Sequence, residues 1–239
     1  MKKLYYSQHG EDNLLWQVFG DKTDGYFVDI GALDGTFFSN TYSFAQHGWK
    51  GICVEAHPHF YPILQKNRPE SVNVHVAIGN KNEKNSPFYA AGRGSFSSLY
   101  PAAKNFFTRK FKHFGVHYKQ TTVDQSTLTS LFDAYLPPGQ SVDFMTIDIE
   151  GCEFIAMKEL NLNKYRPRII LSEFLDSLNK KQLPEMTEYL SKFGYKQSRI
   201  VKQNVFYCLA DADKKILDTA SLKCDLIRTE RPIDFIDGK

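Results

Sequence analysis

Residues 28–35 read Val28-Asp29-Ile30-Gly31-Ala32-Leu33-Asp34-Gly35, an apolar run that holds one carboxylate and ends in a glycine-bounded turn. A helical pattern begins near Asn40, so the segment reads as strand, tight turn and helix. Gly31 and Gly35 allow the chain to turn sharply and let backbone N–H groups come close to a ligand. In an open parallel sheet that turn lies at the carboxyl edge of the strands, where ligands bind. The spacing is not the G-x-G-x-x-G of dinucleotide sites. Asp29 is placed to hold the loop or a cationic group of the ligand. Glu55 closes the next apolar run, about twenty residues after Gly35, where a carboxylate can accept both hydroxyls of a ribose.

The same alternation continues to about residue 210. Strands are expected at 26–30, 51–55, 72–78, 142–149, 169–173, 195–201 and 205–209, and helices at 40–47, 60–67, 128–134, 153–160 and 185–193. Only three residues separate Val201 from Val205, too few for a crossover helix, so the last strand returns antiparallel. The fold class is therefore α/β, Rossmann-like, with a mostly parallel seven-stranded sheet and a C-terminal antiparallel hairpin. With 239 residues the chain is expected to form a single domain. Within it we expect an N-terminal lid over 1–24, a core over 25–210, a loop excursion over the ligand side at 80–121, and a charged tail, 211–239, with Pro232 and no assigned place.

Charge and cysteine usage exclude several function classes. The 30 basic and 27 acidic residues are interspersed, and a net charge of +3 gives no basic stripe for nucleic acid. Cys53, Cys152, Cys208 and Cys224 lack the spacing of a zinc site or a disulfide scaffold, which fits reduced thiols in a cytoplasmic protein. No stretch approaches the roughly 20 apolar residues of a membrane span, and the N-terminus lacks a signal-peptide run.

Other candidates cluster around the same sheet edge. Ser39, Asn40 and Thr41 offer oxygens at a helix start, as caps or ligand contacts. Ala77 and Ile78 close the third strand, where a purine ring would need an apolar slot. Asp148 and Glu150 share one face at the end of the fourth strand, because their spacing is two, and Glu173 ends the fifth. These carboxylates could supply a general base, bind a hydroxylated substrate or hold a divalent metal, although the spacing is not diagnostic for a metal and none is assigned. Asp148 and Glu153 could equally cap and stabilise the helix that follows. His9, His57 and His59 are candidate imidazole bases. Arg93, Ser95 and Ser97 could meet an acceptor, and Trp16, Phe19 and Trp49 read as packing residues.

These blocks, taken in order, resemble the FkbM-type methyltransferases. They comprise Tyr6-Ser7-Gln8-His9-Gly10-Glu11-Asp12, Phe27 to Ala32 with Gly35, Ser39-Asn40-Thr41, Gly48-Trp49-Lys50-Gly51, Asn67-Arg68-Pro69, Thr127-Leu128, Asp143-Phe144, Ile147 to Gly151 with Glu153, Tyr165-Arg166-Pro167, Gly194-Tyr195 and Asn204. The resemblance spans about residues 5–208. It implies a class I methyltransferase fold, S-adenosylmethionine as methyl donor, and O-methylation of a sugar, glycan or secondary metabolite. On that reading Gln8, Asp29, Gly31, Ala32, Gly35, Ser39, Asn40, Thr41, Glu55, Ala56, Ala77 and Asp148 form the donor site, and Asp148, Glu150 and His9 are catalytic candidates. Leu33 stands where the family often has His, Ala56 where Pro is common, and Cys152 where a small or aromatic residue is usual. The rival readings are a nicotinamide-dependent oxidoreductase and a non-catalytic protein that binds a glycan or partner on the same fold.

Overall fold

In chain order the elements of the computed structural model begin with α1 (Glu11–Phe19), β1 (Tyr26–Ile30), α2 (Tyr42–Gln46), β2 (Lys50–Val54), α3 (Phe60–Asn67), β3 (Val72–Val74), β4 (Ala77–Ile78), β5 (Glu83–Ala91) and α4 (Pro101–Lys110). They continue with β6 (Tyr118–Ser126), α5 (Leu128–Tyr135), β7 (Phe144–Ile147), α6 (Glu153–Met157), β8 (Ile169–Glu173), α7 (Gln182–Ser191), β9 (Lys196–Val201), β10 (Asn204–Cys208) and α8 (Asp211–Thr219). The structure describes residues 4–92, 96–114, 116–174 and 181–222.

Seven strands form one sheet in the order β3-β2-β1-β7-β8-β10-β9. Strands β3, β2, β1, β7 and β8 are parallel, and β10 runs antiparallel to both its neighbours. This is the expected mostly parallel sheet with its C-terminal hairpin. The hairpin folds inward, so β10 slots between β8 and β9.

The pleat sends alternate side chains to opposite faces. Tyr26, Val28 and Ile30 of β1, with Met145 and Ile147 of β7, pack beneath α5, α6 and α7. Phe27 and Phe144 point the other way, towards Leu14, Leu15 and Trp16 of α1, Phe44 of α2, Leu64 of α3 and Leu217 of α8. Both faces are covered, which is why these strands read as unbroken apolar runs. Trp16 stacks on Phe44 at 4.1 Å, and Trp49 and Phe144 each lie 4.8 Å from Phe44. Such ring pairs contribute about 0.5–1.5 kcal/mol each beyond burial, and Trp16, Phe19 and Trp49 are packing residues as expected.

Four segments differ from the sequence reading. The strand expected at 72–78 is two strands in different sheets: β3 pairs with β2, and after His75 and Val76 the chain crosses so that Ala77 pairs with Gln125 of β6. The segment 80–121 is not a loop. It carries β5, α4 and the start of β6, and builds a second sheet ordered β4-β6-β5 whose Phe88, Ala90 and Val123 pack with Ala77. The 1–24 segment is not a separate lid, because Leu14, Leu15, Trp16 and Phe19 of α1 belong to the core. The tail begins with α8, fixed by a buried Leu217 and by Arg168, whose Nε and Nη2 donate to Asp213 at 2.7 and 2.6 Å. Arg93, Ser95, Cys224 and Pro232 lie outside the described residues. Among those described, Cys53, Cys152 and Cys208 are free and buried, and no helix is long and apolar enough to cross a membrane.

Candidate active site

Past β1 the chain turns through Gly31 at φ 90°, and a Cβ there would lie 1.9 Å from the carbonyl oxygen of Asp148. The loops after β1 and β7 therefore touch, and no side chain fits between them. At Gly35, φ 80°, a Cβ would meet Arg68 Cγ at 2.6 Å. The first three loop amides turn inward to strand β2 and the residue after it, where the sequence suggests a ligand. Gly31 N and Ala32 N both donate to the Val54 carbonyl (3.0 and 2.9 Å), and Leu33 N donates to Glu55 Oε2 at 2.7 Å. Strand β2 satisfies the turn, and the turn in return fixes Glu55.

Asp29 sits on the Phe27 face of β1, 5% exposed. Its Oδ2 accepts the Thr41 hydroxyl at 2.5 Å, and Thr41 Oγ1 in turn accepts both terminal nitrogens of Arg68 at 3.1 Å. Burial pushes the Asp29 carboxyl up, while the Arg68 charge and the Thr41 hydroxyl pull it down. Thr41 is thus a relay behind the site. Ser39 Oγ accepts Thr41 N and Tyr42 N at 3.2 and 3.1 Å, and so caps the entry to α2. Asn40 donates to Thr146 Oγ1 of β7 at 3.1 Å.

A cavity of about 550 Å³ opens over this edge. On one side Val54, Ala56, Val76, Ala77, Ile78 and Leu99 line an apolar slot beside Glu55. Glu55 Oε1 accepts His57 N at 2.6 Å, so each carboxylate oxygen holds one backbone amide and retains a lone pair. Burial outweighs those bonds and moves its pKa up to about 7.

The other side has a floor of carboxylates. Asp148, Glu150 and Glu173 can each present an oxygen within 4.8 Å of the others, the donor type that also suits a hard divalent cation. Asp148 is open to the cavity while ringed by protein, and this surrounding moves its carboxyl up to about 6. Burial and the neighbouring Asp148 raise Glu150 and Glu173 well above the usual carboxylate range. Glu173 Oε2 is shut off from water and reached by no donor. Asp148 and Glu173 share a hydrogen bond that pulls Asp148 down and pushes Glu173 up, so Glu173 is the member that holds the proton. Glu150 lies at φ 58°, a left-handed conformation that costs about 1–3 kcal/mol in a residue with a side chain. The neighbouring loop is braced by Glu153, whose Oε1 accepts Ile149 N and Gly151 N at 3.0 Å and whose Oε2 accepts Gln182 Nε2 at 2.6 Å. Glu153 is therefore a loop brace, apart from the cavity wall.

Of the residues singled out from sequence, Gln8, Asp29, Gly31, Ala32, Ser39, Asn40, Glu55, Ala56, Ala77, Ser97, Asp148, Glu150 and Glu173 line the cavity. Gly35 and Thr41 stand behind the wall. His9 lies outside the lining, its backbone N donating to Glu11 Oε2 at 2.9 Å, and it is Glu11 that reaches the cavity. His57 is buried away from the lining with its ring on the Ala91 carbonyl, and His59 borders a separate small pocket. The sequence reading missed Gln203 and Lys110, and the aromatic wall of Phe37, Phe38, Phe96, Phe107 and Phe111. It assigned no role to Asn204, whose Nδ2 donates to Glu11 Oε1 at 2.8 Å.

A family model described as the methyltransferase FkbM domain matches residues 29–196. No curated protein sequence matches the chain. Among solved structures, the METTL16 MTase domain is similar at 14% identity and TM-score 0.45, covering 84% of this chain, and the chain spans 65% of that domain's length. The precorrin-6y C5,15-methyltransferase of Geobacter metallireducens GS-15 is similar at 12% identity and TM-score 0.45 over 87% of this chain and 90% of that one. A TehB-like SAM-dependent methyltransferase from Corynebacterium glutamicum is similar at 9% identity and TM-score 0.42 over 84% and 88%.

Proposed function

As the chain belongs to the FkbM family of S-adenosylmethionine-dependent methyltransferases, we propose that it methylates a hydroxyl oxygen of a sugar, a glycan or a secondary metabolite, with donor and acceptor side by side in the cavity at the sheet edge. The observation that carries this reading is the pairing of Glu55 and Asp148 on either side of the Gly31 turn. One carboxylate borders an apolar slot and the other opens onto a polar floor.

The residues suit such a donor. A cavity of about 550 Å³ lies within the range of small-molecule sites, roughly 300–1,000 Å³. Glu55 keeps a lone pair on each oxygen for the ribose hydroxyls, and Ala56, Ala77 and Ile78 offer the adenine an apolar slot. Asp29, Gly31, Ala32, Ser39, Asn40 and Gln8 border the methionine end, with Gly35 and Thr41 holding the loop from behind. When bound, the donor supplies an electrophilic methyl group on a sulfonium.

The chain's own residues then have two tasks. The first is to hold the acceptor oxygen in line, where positioning alone lowers the barrier substantially. Glu150, Gln203 and Asn204 offer hydrogen-bonding groups for that. The second is to accept the hydroxyl proton. Asp148 is open to the cavity, ionised above about pH 6, and braced by a Glu173 that keeps its own proton. A positioned base of this kind contributes about 10²–10⁴-fold. We propose that the chain works as one catalytic domain in the cytoplasm, in keeping with the free, buried thiols of Cys53, Cys152 and Cys208.

Isothermal calorimetry with S-adenosylmethionine and, separately, NADH tests it. We expect micromolar binding of the first alone, and at least tenfold weaker binding in Asp29→Ala and Glu55→Ala while the far-UV spectrum stays unchanged. Wild-type binding in both variants would overturn the donor-site assignment. Binding of NADH alone would favour an oxidoreductase, and binding of neither a non-catalytic protein.

A further inference from the structure

We propose that the acceptor end of the cavity selects by charge. The molecule methylated is neutral or amine-bearing where it meets the carboxylate floor and apolar in its body, and phosphorylated, sulfated or carboxylated acceptors are rejected. The inference rests on the methyltransferase reading above and narrows its substrate class.

The wall is predominantly acidic. Glu11, Asp29, Glu55, Asp148, Glu150 and Glu173 enter it from α1, from β1, from the chain just past β2 and β7, and from the end of β8. Asp29 has Arg68 behind it, as described above. Among the described residues Lys110 is the only basic side chain in the lining, and its ammonium lies over the Phe106 and Phe111 rings at 5.2 and 5.4 Å. Burial and Asp148 raise the Glu150 carboxyl, and the single charge of Lys110 only partly offsets them. An anionic acceptor would meet several acceptor oxygens and few donors, in a site where water screens little.

The geometry of the floor points the same way. One oxygen from each of Asp148, Glu150 and Glu173 lies within 4.8 Å of the others, and Asp148 is the member open to the cavity. Carboxyl oxygens gathered around an ionised Asp148 receive an ammonium or hydroxyl donor and set acceptor against acceptor for a phosphate, sulfate or carboxylate.

The rest of the lining is aromatic. The Phe37 and Phe38 rings lie 3.9 Å apart and tilted, and Phe38 stays 41% exposed at φ 53°, its backbone bridged to Ser7. Across the cavity Phe96 lies 5.2 Å from Phe107 and 4.8 Å from Phe111. Rings that flank an acidic floor fit an amphipathic acceptor, polar at its reacting end and apolar behind it.

The test uses the full chain saturated with S-adenosylhomocysteine, whose binding is measured first by calorimetry. Benzylamine, benzyl alcohol and benzyl phosphate share one ring and differ only in head charge. Their dissociation constants come from saturation-transfer NMR. We expect the amine to bind at least as tightly as the alcohol, the phosphate to bind at least tenfold more weakly than either, and Asp148→Asn to shrink the gap between amine and phosphate at least threefold. Phosphate binding equal to that of the alcohol, absence of binding by both amine and alcohol, or a gap unchanged in Asp148→Asn would overturn the charge selection while leaving the donor site intact. Failure of S-adenosylhomocysteine to bind would instead remove the methyltransferase reading itself.

Discussion

Replacing Arg68 by Met keeps much of the side-chain volume against Phe27 and Tyr42 and removes a buried charge. Arg68 is 2% exposed; its Nη1 donates to the Gly35 carbonyl at 2.9 Å, and both terminal nitrogens reach Thr41 Oγ1. Without it Asp29 is a buried carboxylate supported by one hydroxyl, and truncating one partner of a buried charge pair costs about 3–5 kcal/mol. Protonation caps the penalty. From an ordinary aspartate value of 3.8, forcing the proton on costs at most about 1.36 × 3.2 ≈ 4.4 kcal/mol at pH 7 and about 1.36 × 1.2 ≈ 1.6 kcal/mol at pH 5. The folded-state pKa of Asp29 is already raised, so its contribution is complete below 3.8 and lost as pH rises; part of the cap is spent in the wild type, and the substitution adds the rest. At about 2–4 °C per kcal/mol for a domain of this size, the melting temperature should fall by no more than roughly 9–18 °C at pH 7 and no more than about 3–6 °C at pH 5. Circular dichroism melts at the two pH values measure both numbers. A drop under about 2 °C at pH 7, or equal drops at the two pH values, would refute the view that Arg68 compensates Asp29.

Three further outcomes are expected. Asp148→Asn should lower kcat by about 10²–10⁴ and should abolish an acid limb centred near pH 6 in the wild-type profile; an unaltered profile would assign the base elsewhere. Donor affinity should rise between pH 6 and 8 as Glu55, with its pKa near 7, ionises to accept the ribose hydroxyls; calorimetry of Glu55→Gln should show a weaker and flatter dependence. Gly31→Ala should fail to give a folded protein, because its Cβ overlaps a main-chain oxygen at 1.9 Å and its φ is 90°; a dispersed amide NMR spectrum from that variant would contradict the close contact between the two loops.

The legible parts of the fold were those decided by local pattern. Strand β1 and strand β8 carry the residues expected of them, because both faces of the sheet are covered and the apolar run is the strand. The break between β3 and β4 was illegible for the same reason. Val74, Val76 and Ile78 continue the apolar pattern while the chain moves from one sheet to another, and the partner that captures Ala77 is Gln125, far along the sequence. Carboxylates near strand ends can be placed by position alone, so Asp29, Glu55, Asp148, Glu150 and Glu173 are legible in the sequence. Their partners are not. Arg68 lies on the far side of Thr41 from Asp29, and only the packing of α2 and α3 on one face brings the three together. An imidazole draws attention to His9, whereas in the structure nearby Glu11 reaches the cavity. The aromatic wall draws on the loop before α2 and on α4 with its flanking residues Phe96 and Phe111, segments without strong periodicity.

The bond between Asn204 and Glu11 joins positions 193 residues apart, and Gln17 Nε2 donates to the Ser221 carbonyl at 2.9 Å across a span of 204. During synthesis, therefore, α1 leaves the ribosome long before its last contacts exist. Domains assemble as units and distant contacts close slowly, so the Glu11 corner of the cavity is set only after β10 has entered the sheet between β8 and β9. A nascent chain that already carries the glycine turn and Glu55 has one half of the cavity and lacks the corner that Glu11 and Asn204 close. The cavity is therefore completed in one late step, when α1 meets β10 and the segment after α8.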